Sequence, residues 1–326
     1  MSVLLRWRGL EREPQTTASV FMVRPARFAA NAETAGTNAF QSAAPGASSP
    51  ALLGAARREF DGLVAALRAE GVEVLVVEDE PEPPRPDAVF PNNWISLHGD
   101  GTAVLYPLLA ESRRLEVRLD VLERLEERGL FARRRLVDLR PRAAALGFLE
   151  GTGSLVLDRV ARRAYACLSP RTARPALEAF CAELDYRPVA FHAADARGVA
   201  VYHTNVMLAL GRALAVVCLE AIDDARERAA VEHSLVETGH ELVSITRAQM
   251  GEFAGNVLEL RGAGERALWA MSSRARRAFT PGQLQALARH GTVVDSALDT
   301  IESHGGGSAR CMIAEVFSPR GTPTEG

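Results

Sequence analysis

Short apolar runs that begin near a small or amide-bearing residue recur along the chain at nearly constant spacing. They occupy residues 93–97, 153–157, 205–210, 255–260 and 310–316. Positions 94, 154, 206, 257 and 311, near the start of each run, lie 60, 52, 51 and 54 residues apart. A period of this length is typical of a repeated supersecondary unit. We therefore interpret the chain as five copies of one unit, each opened by a strand.

The residues after each run predict the rest of the unit. After the first run, 103–106 can pair back as a hairpin, 113–128 carries leucines at helical spacing, and 136–138 returns as a strand. The same order is predicted for 164–168, 174–184 and 187–191, for 213–219, 225–238 and 241–245, and for 267–271, 281–289 and 292–294. Almost no chain follows the fifth run. Its hairpin strand, helix and return strand must therefore come from 20–24, 50–70 and 72–77.

Five β-β-α-β units joined in this way predict a ring closed by N-terminal elements. The expected fold is a fivefold pseudo-symmetric α/β propeller forming a single domain over residues 18–317, with tails at 1–17 and 318–326. A doubly wound α/β sheet with chance spacing is the alternative. Residues 29–49 have little periodicity and are predicted to form a long loop of the kind that often serves as a lid.

Polar residues stand just before each leading strand. If these strands run the same way through the ring, the residues gather at one end of its axis; they are Asp87 with Asn92 and Asn93, Glu150, His203 with Asn205, Glu252 with Asn256, and Cys311. A thiol, an imidazole and carboxylates are the ingredients of nucleophilic catalysis. An isolated His such as His203 is also common as a hydrogen-bonded core residue, so both interpretations stand at this point.

The four cysteines differ in their surroundings. Cys311 follows the glycine-rich stretch 305–307, which can bring backbone N–H groups close to a ligand. Cys167, Cys181 and Cys218 lie within apolar runs and are predicted to be core residues. Their spacing matches neither a disulfide framework nor a zinc ribbon.

Composition narrows the possible chemistry. All 38 basic residues are arginine, which excludes a lysine-containing phosphate loop, a pyridoxal Schiff base and a lysine nucleophile. The net charge of −3 and 6% aromatic content do not suggest nucleic-acid binding. No apolar run reaches 18 residues, and the N-terminus lacks a signal-peptide pattern. We expect a cytoplasmic protein that needs no cofactor or metal and has no membrane partner.

Several short motifs together resemble a known superfamily. They lie at residues 22–26, 86–94, 149–154, 166–172, 202–205 and 305–311. In this order they are similar to the guanidine-modifying, or pentein, superfamily of arginine deiminases, dimethylarginine dimethylaminohydrolases and amidinotransferases. The nearest branch comprises citrulline-utilisation hydrolases and amidinotransferase-related proteins. The resemblance spans about residues 21–317 and implies the fivefold propeller fold.

The resemblance implies a role for each matching residue. Cys311 corresponds to the nucleophile that attacks a guanidine or ureido carbon. His203 corresponds to the general acid and base, and Glu150 to the carboxylate that supports this histidine and the substrate nitrogens. Arg171 falls where relatives bind the substrate α-carboxylate, a task that suits a planar guanidinium. Asp87 falls where they bind the α-ammonium.

Three asparagines depart from the pattern of relatives that act on guanidinium groups. Asn92, Asn93 and Asn205 stand where acidic residues are often found. A guanidinium carries only donors, whereas a neutral ureido group also has a carbonyl acceptor that a carboxamide can match. We therefore expect these residues to bind a ureido amino acid, and the predicted reaction is hydrolysis of citrulline to ornithine, carbon dioxide and ammonia through a covalent cysteine adduct.

Other functions remain open at this point. The same residues could serve an arginine deiminase, a dimethylarginine dimethylaminohydrolase or an amidinotransferase, and a propeller could also be a non-catalytic binding scaffold. The expected partner is a small-molecule amino acid, and a homodimer is possible.

Overall fold

The computed structural model describes residues 13–41 and 49–318. Residues 1–12 of the predicted tail 1–17, residues 319–326 of the predicted tail 318–326, and residues 42–48 of the predicted loop lie outside the described residues. The strands are β1 Ser19–Arg24, β2 Glu73–Glu78, β3 Ile95–Leu97, β4 Thr102–Leu105, β5 Arg135–Asp138, β6 Val156–Asp158, β7 Arg163–Cys167, β8 Arg187–Phe191, β9 Leu208–Leu210, β10 Leu214–Val217, β11 Glu241–Ser244, β12 Leu258–Arg261, β13 Ala267–Ser272, β14 Thr292–Ser296 and β15 Ala314–Val316. The helices are α1 Ala32–Ala35, α2 Pro50–Ala69, α3 Glu111–Arg114, α4 Leu119–Glu127, α5 Ala143–Leu146, α6 Gly151–Ser154, α7 Arg174–Leu184, α8 Ala225–Glu237, α9 Arg247–Gly251, α10 Ser273–Ala278, α11 Pro281–His290, α12 Asp299–Gly305 and α13 Ala309–Met312.

Within the described residues the strands form five three-stranded sheets of one design. In each sheet a short leading strand pairs antiparallel with a central strand, which pairs parallel with a third strand reached through a helix. The sheets are β3-β4-β5, β6-β7-β8, β9-β10-β11, β12-β13-β14 and β15-β1-β2. The prediction of a mixed α/β fold is confirmed. Parallel pairing of the second and third strands requires a crossover, which explains the helix in every unit.

The fifth sheet joins the two ends of the chain. Strand β1 pairs antiparallel with β15, with Ser19 opposite Val316, and parallel with β2, with Ser19 opposite Glu73. Neighbouring units touch through their leading strands and the turns before them: β3 contacts α6, β6 contacts β9, and β9 contacts β12. The last unit contacts both β13 and β3 through α13 and β15. Each unit therefore lies against the next, and the split unit lies between the fourth and the first.

The leading strands are shorter than the sequence pattern predicts. A helical turn precedes the strand in four of the five units, at Pro91–Asn93, Gly151–Ser154, Thr204–Val206 and Ala309–Met312. These turns carry the polar residues that the pattern placed at the head of a strand. The turns satisfy backbone groups locally where a strand would leave them unpaired in a buried region.

The helix predicted over 113–128 is two helices, α3 and α4, separated at residues 115–118. Helix α4 packs Val121, Leu122 and Leu125 into the core. Arg113 on α3 is buried in the polar cavity described below. Because of this break, Arg113 on α3 reaches the polar cavity while the apolar side chains of α4 pack into the hydrophobic core. A continuous amphipathic helix could not do both.

Helix α2 shows why the helices pack as they do. Ser49 caps it by accepting a hydrogen bond from the Leu52 amide, and Pro50 occupies its first turn. Phe60, Leu63 and Leu67 are buried on one face at helical spacing. This face packs on β1, β2 and β14, so the helix joins the fifth unit to the fourth.

Residues 13–17, which the sequence assigned to an N-terminal tail, are packed against the sheets. Gln15 donates through its amide to the carbonyls of Leu157 and Leu210, and Thr17 donates to the carbonyl of Val316. Glu13 accepts hydrogen bonds from Arg159 and from the Gly99 amide. The tail assignment is wrong for these five residues. The spacing of hydrophobic residues contains no information about polar contacts to strands that are distant in the sequence.

Replacing Glu13 with alanine is expected to lower the free energy of unfolding by about 2–3 kcal/mol. The change leaves Arg159, which is 3% exposed, without its carboxylate partner. Urea denaturation of both proteins measures the loss. Glu82→Ala is the matched control, because Glu82 pairs with Arg27 on the surface and its loss should change stability little. Equal stability of the two variants would contradict this role for Glu13.

Candidate active site

A narrow polar cavity lies between the segment containing α1 and the turns that precede the leading strands. It encloses about 270 Å³ of empty space, its open mouth included. Its lining includes Asp87, Asn93, Arg171, His203 and Cys311, all predicted from the sequence, together with Thr34, Asn38, Phe90, Arg113, Tyr202, Gly305, Gly306 and Gly307. A wider groove beside Phe148 is mostly apolar and has no thiol or imidazole in its lining. The narrow cavity is therefore the candidate active site.

Cys311 lies on the single turn α13, held from both sides. Its amide donates to the Ser308 carbonyl at 3.0 Å, and the Ser308 hydroxyl donates to the buried carboxyl group of Glu302 at 2.6 Å. The sulfur is 3.2 Å from Asn256 Nδ2 and 3.5 Å from Asn205 Nδ2. The thiol is 3% exposed and borders the cavity. Two carboxamides therefore surround a sulfur that faces the place where a substrate would lie.

His203 pairs with Glu150 at a distance of 2.8 Å between Nε2 and Oε2. Burial lowers the pKa of His203 to about 4, and Glu150 offsets this only in part. The ring is therefore neutral at neutral pH. Since a carboxylate can only accept, the ring proton is on Nε2, and Nδ1 is left with a lone pair able to take a proton. The His203 ring also packs on Tyr202, with ring centroids 4.6 Å apart.

Glu150 is fully buried and ionised. Burial alone would raise its pKa, but Arg171, His203 and Arg113 outweigh burial and hold the pKa of Glu150 well below its usual range. The Glu150 carboxylate lies 3.6 Å from Arg171 Nη1 and 3.8 Å from Arg113 Nη1, and it accepts a hydrogen bond from the Leu109 amide. This carboxylate therefore links three functional side chains.

Two glycines after Glu150 allow the units to approach one another. Gly151 has φ +49°, and a β-carbon there would lie 2.2 Å from the Asn92 carbonyl oxygen. At Gly153 a β-carbon would lie 2.3 Å from Asn93 Nδ2 and 2.7 Å from His203 Nδ1. Only a residue without a side chain fits at either position. The lack of a side chain at Gly153 thus allows both the Asn93 amide and the His203 ring to pack against the α6 backbone.

The two residues predicted to bind the amino-acid head group are paired with the segment that covers the cavity. Asp87 accepts a hydrogen bond from Asn31 at 2.8 Å. Arg171 donates to the Thr37 hydroxyl and to the Thr34 carbonyl, and its guanidinium lies 4.9 Å from the Tyr202 ring centroid. Burial raises the pKa of Asp87, with Arg113 and Asn31 opposing it. Residues 29–41 of the predicted loop therefore lie over the site and use hydrogen bonds that a substrate could take.

The adjacent asparagines have different surroundings. Asn93 lines the cavity and accepts a hydrogen bond from Arg113 through Oδ1 at 2.9 Å, while its buried Nδ2 has no partner within residues 13–41 and 49–318. Asn92 is fully buried and does not line the cavity, and neither of its side-chain polar atoms has a partner in the part of the chain that the structure describes. Direct contact of Asn92 with a ligand in this cavity is thus not part of the observed geometry.

Arg113 is a site residue that the sequence patterns did not single out. It forms two hydrogen bonds to Glu116 and lies 3.7 Å from Asp87. Burial raises the pKa of Glu116 to about 7, although Arg113 opposes this. Among the residues expected at the mouth, Glu252 is instead half-exposed and pairs with Arg274 on the surface. The helix predicted over 113–128 contained Arg113. In the sequence, this arginine therefore looked the same as the charged residues on the solvent-exposed face of that helix.

Asparagine usage is a signal that could have revealed more of the site. The chain has six asparagines in 326 residues, at 31, 38, 92, 93, 205 and 256. Asn31 contacts Asp87, Asn38 donates to the Gly305 carbonyl, and Asn256 contacts the sulfur of Cys311. All six therefore lie in or beside the cavity. The other three cysteines are in the hydrophobic core, as predicted.

The described residues contain no group of three or more His, Cys, Asp or Glu side chains placed to hold a metal ion. None of the described helices combines the length and the apolar character needed to cross a membrane.

Solved structures with the same fold were found by structural comparison. The N-terminal domain of ArgZ, an arginine dihydrolase from the ornithine-ammonia cycle in Cyanobacteria, bound to substrate, has a TM-score of 0.70 and 20% identity, covering 92% of this chain and 98% of that domain. AgrE in complex with L-arginine gives a TM-score of 0.71 and 21% identity over 94% of this chain, which spans only 41% of AgrE. A dimethylarginine dimethylaminohydrolase adduct with S-methyl-L-thiocitrulline gives 0.61 and 16% over 92% of this chain and 99% of that chain. At these identities the likeness establishes the fold alone.

No curated protein matches the chain by sequence. A family profile described as N,N dimethylarginine dimethylhydrolase, eukaryotic, matches residues 24–318. This match includes β2 and β15 of the split sheet, the last residue of β1, and every residue predicted for the site. The chain therefore belongs to the N,N dimethylarginine dimethylhydrolase family, within the pentein superfamily of guanidine-modifying proteins.

Proposed function

We propose that this protein hydrolyses the carbon–nitrogen bond of a ureido amino acid, citrulline in the first place, with Cys311 as the nucleophile. The orientation of the Asn93 amide carries this proposal. Arg113 has only donors, so Asn93 must turn Oδ1 toward it. This leaves Nδ2, near the His203 ring, as the atom without a partner among the described residues. A free N–H donor at this point fits a ureido carbonyl oxygen, whereas a guanidinium offers it no acceptor.

The charges of the cavity support a neutral reacting group. Asp87 and Glu150 already lie within 4 Å of the Arg113 guanidinium, and Arg171 adds a second cation next to Glu150. A substrate guanidinium entering beside them would be a third cation competing for the same two carboxylates. A ureido group brings no charge and avoids that repulsion.

The amino-acid head group has two partners in this arrangement. Arg171 takes the α-carboxylate in place of the Thr34 and Thr37 oxygens, and Asp87 takes the α-ammonium in place of the Asn31 amide. Substrate binding thus exchanges hydrogen bonds within the covering segment for hydrogen bonds to the ligand. The cost of burying the two head-group charges is then offset by partners that are already buried.

The chemistry follows from the neutral state of His203. As the Cys311 sulfur attacks the ureido carbon, its proton passes to His203 Nδ1, and the proton then moves to the departing ornithine nitrogen. This breaks the carbon–nitrogen bond and leaves a carbamoyl group on the sulfur. Water, deprotonated by His203, attacks the carbamoyl carbon and returns the thiol. The released carbamate decomposes to carbon dioxide and ammonia. Glu150 stabilises the imidazole of His203 each time it becomes protonated.

We infer further that the five sheets are the blades of a fivefold pseudo-symmetric propeller, one catalytic domain over residues 18–317. The contacts of each unit with the next, and of the split unit with the fourth and the first, support this arrangement. It places the turns before the leading strands around one axis, where Glu150, His203 and Cys311 meet. Four unpaired thiols fit a reducing cytoplasm.

Hydrolysis of arginine or of an N-methylated arginine is the second candidate. Asp87 lines the cavity, and its buried Oδ1 atom is an acceptor that has no partner among the residues described. Such an atom could take an N–H of a guanidine as well as an α-ammonium. The family profile and the names of the structural relatives also favour this candidate.

Purified protein incubated with citrulline is expected to release ornithine and ammonia in equal amounts. Cys311→Ala should lower this rate by more than about 1,000-fold while the fold is retained, because it removes the nucleophile. Chromatographic measurement of ornithine tests both statements. Arginine and dimethylarginine are assayed in parallel. Conversion of these substrates with no ornithine from citrulline would reject the ureido proposal in favour of the second candidate.

Asn93→Asp is expected to reduce kcat/KM for citrulline by about 10- to 100-fold, because a carboxylate replaces the donor that meets the carbonyl oxygen. The ratio of arginine to citrulline turnover should rise in the same variant, since the added charge favours a cation. Asn93→Ala is the control, because it removes the donor without adding charge and should not raise that ratio. A citrulline rate unaffected by both variants would rule out this contact.

The acid limb of the pH profile of kcat/KM is expected near pH 4, well below the ordinary pKa of a histidine. Burial lowers the pKa of His203 to about 4, so the ring stays neutral and able to accept a proton until the pH falls that far. Below this pH the protonated ring cannot take the proton of Cys311, and activity is lost. Initial rates across an acid-to-neutral pH series measure the limb. A limb centred near the ordinary histidine pKa would contradict the neutral buried state.

A further inference from the structure

The sulfur of Cys311 has an unusual pair of neighbours. In the described part of the chain its hydrogen bonds are to two carboxamides. Asn256 Nδ2 donates at 3.2 Å and Asn205 Nδ2 at 3.5 Å, while Asn205 Oδ1 lies farther away, at 3.9 Å. The nearby imidazole of His203 is neutral and bonded to Glu150, so it supplies no fixed positive charge to the sulfur. Neutral N–H groups are therefore the fixed donors that the fold supplies to a negative sulfur.

The orientation of the Asn256 amide is set by two backbone groups. Oδ1 accepts from the Arg310 amide at 3.1 Å, and Nδ2 donates to the Asn205 carbonyl at 2.9 Å. Turning the amide over would place an oxygen against that carbonyl and an N–H against the Arg310 amide. The second N–H of Nδ2 must therefore point toward the sulfur.

The loop that carries Asn256 is built to hold it in place. Phe253 adopts φ +63°, a conformation that residues other than glycine seldom take. A β-carbon at Gly255 would lie 2.3 Å from the Val206 carbonyl oxygen, so the loop lies directly on the turn that carries Asn205. Asn256 itself is fully buried. Surroundings this closely packed restrict the amide to one position beside the nucleophile.

We propose that Asn256 is a further catalytic residue, whose side-chain N–H donates to the Cys311 sulfur and stabilises it as the thiolate. The inference rests on the proposed function only in taking Cys311 as the nucleophile, and it does not depend on the substrate. A hydrogen bond to a charged acceptor is stronger than one to a neutral acceptor, so the amide favours the thiolate over the thiol. The two backbone bonds of Asn256 place the donor, and the third bond acts on the reacting atom.

The test measures the rate at which iodoacetamide alkylates Cys311 across a neutral-to-alkaline pH series, with no substrate present. Peptide mass spectrometry identifies the labelled residue. Burial raises the pKa of Cys167 and Cys181 to about 12 and that of Cys218 to about 11, so these thiols react little at neutral pH. Cys311→Ser provides the background.

In Asn256→Leu, the pH of half-maximal alkylation is expected to rise by about one unit, with the alkaline plateau unchanged. Labelling at neutral pH then slows about tenfold, equivalent to about 1.4 kcal/mol. Asn256→Asp keeps the acceptor for the Arg310 amide but places a carboxylate beside the sulfur, so its shift should be larger. Glu252→Gln, a surface change on the same loop, should behave as the unchanged protein does.

A midpoint that stays in place in Asn256→Asp would overturn the proposal. So would a uniform loss of labelling at every pH, because this indicates altered access to the sulfur and only a structural role for Asn256. If Asn256→Leu does not fold, Asn256→Asp alone decides. Since no substrate is used, failure of this test leaves the citrulline assay untouched, and failure of that assay leaves this result standing.

Discussion

A carboxylate without any exposure to solvent lies at the centre of this site, and the surrounding structure keeps it charged. An isolated ionised Glu150 would be costly to bury, so the fold surrounds it with Arg171, Arg113, His203 and a backbone amide. These partners come from different units of the fold. The need to compensate one buried charge therefore determines which turns must meet. It also explains why His203 has a fixed tautomer with Nδ1 available for proton transfer.

The backbone geometry follows from the same requirement. Bringing Asn93, His203 and the α6 turn together leaves no room for side chains at Gly151 and Gly153. Strand β15 pairs with β1, so Cys311 and its turn depend on pairing between the two ends of the chain. Glu13 and Gln15 fasten the N-terminal segment to the first three units, and Thr17 fastens it to β15 of the split unit. The candidate site and the joining of the two chain ends are thus coupled through the fifth sheet.

Much of the fold was accessible from the sequence, because each unit repeats strongly periodic apolar runs of similar spacing. The pattern also indicated that the last run must pair with N-terminal strands, and the observed antiparallel pairing of β15 with β1 agrees. The helical turns before the strands were missed, since three or four residues carry too little periodicity to separate a turn from a strand. The break between α3 and α4 was missed for a different reason. Leucine spacing continues across it, and the burial of Arg113 depends on Asn93 and Glu116.

Family resemblance predicted some of the residues of the site, whereas the contacts of other residues could not have been predicted from it. The cavity brings together Asp87, Asn93, Arg171, His203 and Cys311, and Glu150 joins them through His203. No local pattern encodes the contacts of Asn31 with Asp87 and of Arg113 with Glu150. The repeat placed Asn256 before the fourth leading strand but did not reveal its contact with the Cys311 sulfur. Amino-acid composition did carry information about the site. The chain has no lysine and only six asparagines, and all six asparagines lie in or beside one cavity.

The central claim is that a neutral ureido carbon becomes bonded to the Cys311 sulfur. Mass spectrometry of protein quenched in acid during turnover of citrulline labelled at its ureido carbon tests this most directly. The account predicts a labelled carbamoyl group on the peptide that contains Cys311 and none in Cys311→Ala. An unmodified peptide during active turnover, or an amidino group formed only from arginine, would contradict it.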